Sequence, residues 1–124
     1  MDHSDVQGWV RMYESAWRSP GTDMLAGLFT EDVSYLVSPW AESLRGLGAV
    51  GEFWEAERQG PYEEFTLASE VVAVDDRTAV VRAAVDYTTT GDRWRDLWVL
   101  RFADDGRCVA FEEWPIAPER PDGH

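Results

Sequence analysis

The chain has 124 residues, 44% of them hydrophobic, enough for one compact domain that buries roughly two thirds of its unfolded surface and too few for two. Its 24 acidic side chains outweigh 11 basic ones, and the formal charge of −13 repels nucleic acid and anionic membrane surfaces, so neither is an expected partner. The single cysteine, Cys108, excludes an internal disulfide, no apolar run reaches the length of a membrane span, and MDHSDVQGW lacks a leader pattern, which together point to a cytoplasmic protein.

In chain order, Ser4 and Gln7 have capping-box spacing, and Val6, Trp9, Val10, Tyr13, Ala16 and Trp17 recur at helical intervals as far as Ser19. Pro20-Gly21 turns the chain, and Thr22 is placed to cap a short helix with an inner face of Met24, Leu25, Leu28 and Phe29. A strand is expected over Val33 to Val37, then an irregular stretch in which Trp40 reads as a rim or lid residue. Val50, Phe53 and Trp54 give a third helix from about Leu47 to Arg58, stopped by Gly60-Pro61. From Phe65 the period changes from helical to alternating. Strands are predicted at Phe65 to Val74, Thr78 to Thr89, Arg93 to Ala103 and Arg107 to Ile116. Three helices followed by an antiparallel meander predict an α+β domain over residues 1–118, with 119–124 as a flexible tail.

The last two strands carry the clearest register. If Asp105-Gly106 form a two-residue type I′ loop, Phe102 faces Val109, Leu100 faces Phe111 and Trp98 faces Glu113. One face then presents Trp94, Asp96, Trp98, Leu100, Phe102, Val109, Phe111 and Glu113, an aromatic wall with two carboxylates. The opposite face, with Val81, Ala83, Val85, Tyr87, Leu97, Val99, Ala110 and Trp114, is too apolar for water, and a homodimer through this convex face is expected. Glu112 points to that side, where an arginine is its expected partner.

Trp9, Tyr13, Trp17, the run LFTEDV at 28–33, Gly46, Phe53-Trp54 and DGRCVAFEEW near the end resemble the nuclear transport factor 2-like superfamily, and within it the SnoaL-like branch. The resemblance implies a cone, in which a curved antiparallel sheet wraps around the three helices and leaves an internal pocket. Members of the superfamily include ketosteroid isomerase, scytalone dehydratase, limonene epoxide hydrolase, polyketide cyclases and pocket proteins without known activity. Laid against the ketosteroid isomerase pattern, Tyr13 matches the oxyanion-hole tyrosine, but Val37 and Trp98 stand where that pattern has its two aspartates. Against limonene epoxide hydrolase, Arg82 and Glu113 fall near the strand arginine and the last-strand acid, and Ala84 replaces the second aspartate, with Asp86 two residues further along. Against SnoaL-like cyclases, Glu113 matches the catalytic acid of the last strand.

If Thr90-Gly91-Asp92 joins the preceding pair of strands, Asp86 falls opposite Asp96, and two facing carboxylates would separate their pKa values into an acid and a base. Arg82 needs a carboxylate partner there, as an ion pair or a substrate clamp. The expected catalytic set is therefore Glu113, Asp96, Asp86, Tyr13 and Arg82. The expected walls of a hydrophobic small-molecule pocket are Trp9, Trp17, Tyr35, Trp40, Trp54, Trp94, Trp98 and Phe111. His3 and His124 lie at the two ends, no zinc spacing or phosphate loop occurs, and no metal or cofactor is implied. Two functions fit this pattern: an acid-base enzyme of cyclase, isomerase or hydrolase type, and a non-catalytic ligand-binding or dimeric interaction protein.

Overall fold

The first helix, α1 (His3–Arg18), begins two residues earlier than the Ser4–Gln7 pattern suggests in the computed structural model, which describes residues 1–58 and 64–122. Asp2 is its cap. The Asp2 carboxylate accepts the Asp5 N–H at 2.9 Å and the Asp5 carboxylate accepts the Asp2 N–H at 3.0 Å, and charged acceptors at the positive end of a helix outcompete a serine hydroxyl. Next come α2 (Leu25–Leu28), β1 (Phe29–Leu36), β2 (Leu44–Arg45) and α3 (Gly46–Glu57). Leu25, Leu28 and Phe29 are buried as expected, whereas Met24 is the helix cap and stays exposed. The Gly60-Pro61 stop lies outside the described residues.

Four long strands follow, β3 (Phe65–Asp75), β4 (Thr78–Tyr87), β5 (Arg93–Phe102) and β6 (Cys108–Ile116). They form one curved, unclosed sheet of order β2-β1-β6-β5-β4-β3, in which only β1 and β6 run parallel. Extra residues bend it: Val72 bulges from β3 against β4, and Val109 from β6 against β5. The helices fill the concave side, so the α+β cone is as the sequence suggests. Among the described residues no helix is long and apolar enough to cross a membrane.

Two turns decide which side chains enter the concave side. After β5 the loop has three residues, not two: Ala103 N–H donates to Arg107 O at 2.8 Å, Gly106 N–H closes the turn onto Ala103 O, and Gly106 adopts the left-handed φ of +87°. This places Cys108 opposite Phe102, and Cys108 takes the buried place expected of Val109. The bulge at Val109 then restores the offset, so Leu100 faces Phe111 and Trp98 faces Glu113.

No such cancellation occurs between β4 and β5. Tyr87 N–H donates to Asp92 O at 2.8 Å and Gly91 N–H returns to Tyr87 O, giving a four-residue loop over 88–91 in place of one over 90–92. The register moves by three residues, an odd number, and every β4 side chain exchanges faces. Ala79, Val81, Ala83, Val85 and Tyr87 look inward. Asp86 pairs with Arg93, and Asp96 has Ala83 opposite it. Arg82, exposed, and Asp86, half-buried, are therefore on the outer face, where Arg82 meets Glu70 at 3.3 Å and Asp86 meets Arg95 at 2.9 Å. Glu112 is also on this face, but it accepts the Trp114 indole N–H at 2.6 Å and not an arginine.

Candidate functional site

Each long element runs from solid core into open space. On α1, Val6, Trp9 and Val10 pack against Leu28, Phe29 and Phe102, and the same helical stripe continues through Tyr13 to Trp17 at a cavity. On β5 the sequence is Phe102, Leu100, Trp98, Asp96, Trp94, and on β4 it is Ala79, Val81, Ala83, Val85, Tyr87, with the last members of each row lining the same cavity. Its volume is about 360 Å3. Val37, Phe53, Phe65, Leu67 and Pro115 complete the apolar lining. The small side chains of β4 leave the room that a second row of aromatics would fill.

Of the expected catalytic set, the structure brings Asp96, Glu113 and Tyr13 to the cavity and leaves Asp86 and Arg82 on the far side of the sheet. Of the expected walls, Trp17, Tyr35, Trp94 and Trp98 line it. The other four do not. Trp9 is 4% exposed and donates its indole N–H to Leu28 O at 3.0 Å, deep in the core. Trp54 and Phe111, each 1% exposed, form a layer behind the wall. Trp54 donates to the Tyr35 hydroxyl at 3.2 Å, and Phe111 stacks on both Tyr13 and Tyr35, at 5.9 and 4.6 Å between ring centres. Trp40 is 98% exposed and outside the lining. Val85, Tyr87 and Phe53 are lining residues not anticipated. The first two follow from the β4 register, and a more apolar inner row was the available signal for it.

The two carboxyls sit on one wall. Glu113 is directly across from Trp98, and Asp96 is two residues from Trp98 along β5, a diagonal relation that keeps side chains within reach. Asp96 is only 8% exposed, and its cross-strand neighbours, Ala83 and Pro115, have no side-chain donor. Its Oδ1 is consequently buried without a hydrogen-bond partner, as are the indole N–H groups of Trp17 and Trp98. Burial pushes the Asp96 pKa up to about 6, against the opposing pull of the Trp98 indole dipole and the Arg95 charge. Burial, followed by the charge of Asp96, pushes Glu113 up to about 8, with Glu57 adding to the repulsion. The two titrate as a unit. Burial also raises the Tyr13 and Tyr35 phenols, so both remain protonated donors.

The fold has well-populated structural company. A candidate polyketide cyclase from Sinorhizobium meliloti superimposes with a TM-score of 0.70 at 23% identity, covering 91% of this chain and 99% of that one. A SnoaL-like protein of unknown function from Burkholderia thailandensis gives 0.71 at 22% identity, covering 94% and 98%. A candidate ketosteroid isomerase from Kribbella flavida gives 0.71 at 19% identity, covering 93% and 80%. At these identities the likeness is one of fold. No curated protein matches the sequence. Residues 9–111 match the family model of the SnoaL-like domain, and with most of its length inside that match the chain belongs to the SnoaL-like family of the nuclear transport factor 2-like superfamily.

Proposed function

We propose that the cavity is the active site of an acid-base enzyme of the isomerase or cyclase kind acting on a hydrophobic small molecule. The observation that carries this reading is the Asp96–Glu113 pair, two carboxyls set diagonally on one wall of an aromatic cavity, where burial raises both and the Asp96 charge raises Glu113 further. Near neutral pH the pair holds one proton between them. One carboxyl is then a base and the other an acid, as proton relocation within a substrate requires. The ionised carboxyl takes a proton from carbon, the protonated one returns a proton elsewhere on the substrate, and the pair ends with the proton count it began with. Tyr13, held protonated and backed by Phe111, donates a hydrogen bond to the substrate oxygen where charge develops. Names carried by structural neighbours, ketosteroid isomerase and polyketide cyclase, are compatible with this class of chemistry.

Proton abstraction from 5-nitrobenzisoxazole, an apolar probe whose ring opens when carbon loses its proton, tests the base directly. Wild-type protein is expected to accelerate the opening, Asp96→Asn to lose about 100-fold or more, Glu113→Gln to lose less because the leaving oxygen needs no acid, and Asp86→Asn to match wild type. An unaccelerated probe, or full rates in both pocket variants, overturns the reading.

We also propose that a second copy of the chain covers the outer sheet face. Leu97, Trp114 and Ile116 are 38%, 46% and 37% exposed on adjacent positions of β5 and β6. The charges around them are of both signs: Arg82 pairs with Glu70, Asp86 is shared by Arg93 and Arg95, and Glu112 accepts from Trp114. A face of this kind meets its own copy without net repulsion at the contact.

A further inference from the structure

The charges lining the cavity have one sign. Glu14, Glu57, Asp92, Asp96 and Glu113 line it, and no arginine, lysine or histidine does among the described residues. Arg18 comes to the mouth but is engaged there, 2.8 Å from Glu14 and 4.0 Å above the Phe65 ring. Arg58 is tied to Glu55 and to the carbonyls of Ser19 and Gly21. Asp92 accepts from the Thr90 hydroxyl, whereas Asp96 Oδ1 has no partner although Asp96 is 8% exposed. A buried acceptor whose cross-strand neighbours, Ala83 and Pro115, carry no donor, and with which the nearby Trp98 indole makes no hydrogen bond, is completed by a donor that a ligand brings. Aromatic side chains, Tyr13, Trp17, Trp94 and Trp98, line the same cavity, and a cation is attracted to the faces of such rings.

We infer that the cavity selects hydrophobic cations: aromatic or alicyclic molecules carrying a protonated amine, seated with the ammonium group against Asp96 and Glu113 and the ring among the aromatic side chains. A bare metal ion fits less well, because among the described residues no three His, Cys, Asp or Glu side chains converge to hold one. Anionic molecules of the same shape are disfavoured, because among the described residues no basic side chain lines the cavity and Arg18 is engaged by Glu14. The inference rests on the cavity being a ligand site, and not on chemistry taking place in it.

Isothermal titration of the full chain at pH 7 with tryptamine, its alcohol analogue tryptophol and indole-3-propionate separates charge from shape. Tryptamine is expected to bind about tenfold or more tighter than tryptophol, and indole-3-propionate weakest. Asp96→Asn should remove the amine's advantage, and Glu57→Gln, at the exposed rim, should reduce it about two- to threefold at low salt. The ammonium group should also lower the Glu113 pKa, so amine binding alone releases protons, seen as a heat that depends on the ionisation enthalpy of the buffer. Asp96, Glu57, Tyr13 and Tyr35 are the titratable groups coupled to Glu113, and the phenols stay protonated at that pH. Equal or tighter binding of the alcohol or the acid overturns the cation selectivity and leaves the pocket standing. Binding of none of the three overturns both. Amine selectivity without acceleration of 5-nitrobenzisoxazole removes the proposed chemistry and keeps the present inference.

Discussion

Glu113 stands directly across the β5–β6 ladder from Trp98, whose indole N–H is buried, unbonded and close enough to favour the ionised forms of both Glu113 and Asp96. The tryptophan thus sits between two acids as a weak shared dipole. It offsets only part of the cost of burying them, and the remainder is stored as raised pKa values available to a ligand or substrate.

That cost makes stability depend on pH. Glu113 is raised from 4.5 to about 8, so between these values the folded chain holds a proton that the unfolded chain has released. The stabilising contribution of the protonated carboxyl is complete below pH 4.5 and is lost as pH rises through 8. Glu113→Gln, neutral throughout, is expected to unfold at nearly the wild-type urea concentration at pH 5 and to be about 1–3 kcal/mol more stable than wild type at pH 8.5. Urea midpoints at the two pH values check this. A wild-type protein whose stability rises over that interval, with no gain in the variant, contradicts it.

The coupling itself has a separate signature. Burial is the largest cause of the Glu113 shift and the Asp96 charge the second. In Asp96→Asn the Glu113 carboxyl should therefore titrate below its wild-type value yet remain above that of an exposed glutamate. Carbon-detected NMR of labelled carboxyls reads both. An unchanged Glu113 titration would show that the carboxyls do not interact, and wild-type carboxyls all titrating below about 5.5 would remove the paired site.

The contrast between the two hairpins explains how much of this site was legible in the residues. Between β5 and β6 a longer loop and the Val109 bulge shift the register in opposite senses, so simple alternation still places Glu113 with Trp98 and Asp96. Between β4 and β5 a single change of loop length stands alone, and it sends Asp86 and Arg82 outward. Loop length depends on hydrogen bonds such as Tyr87 N–H to Asp92 O, which composition does not specify. Burial logic was the better guide there, since Val81, Ala83, Val85 and Tyr87 make a more apolar row than Arg82, Ala84 and Asp86. Periodicity also gives the face of a residue but not its depth. Trp9, Trp54 and Phe111 lie on inward faces, one layer behind the cavity.

That hidden layer should matter to the site it does not touch. Phe111 stacks on Tyr13 and Tyr35, which line the cavity, and is itself 1% exposed. Phe111→Ala is expected to cost about 3–5 kcal/mol in urea unfolding. Where the variant still folds, loosened phenol rings should lower probe turnover several-fold with the Asp96 and Glu113 titrations nearly unchanged. Phe111→Leu, which keeps most of the volume, should recover most of the stability and less of the rate, because it restores packing but not the stacked ring.

Self-association through the outer face gives a prediction with an unusual salt dependence. Each chain carries a formal charge of −13, so two copies repel at long range even where the contact itself is apolar. Screening weakens that repulsion within a Debye length of about 8–10 Å at 0.10–0.15 M salt but leaves the burial of Leu97, Trp114 and Ile116 untouched. The dimer should therefore tighten as sodium chloride is raised from about 0.02 to 0.5 M, opposite to an interface held by ion pairs. Leu97→Glu is a suitable disruptor, because Arg82 lies opposite it on β4 and can accommodate the new carboxylate within the single chain. Its stability as a monomer should stay within about 0.5 kcal/mol of wild type. Sedimentation equilibrium at micromolar protein decides the matter: a wild-type mass near twice 14.1 kDa that falls to one chain in Leu97→Glu supports the face, and one 14.1 kDa species at every salt concentration rejects it.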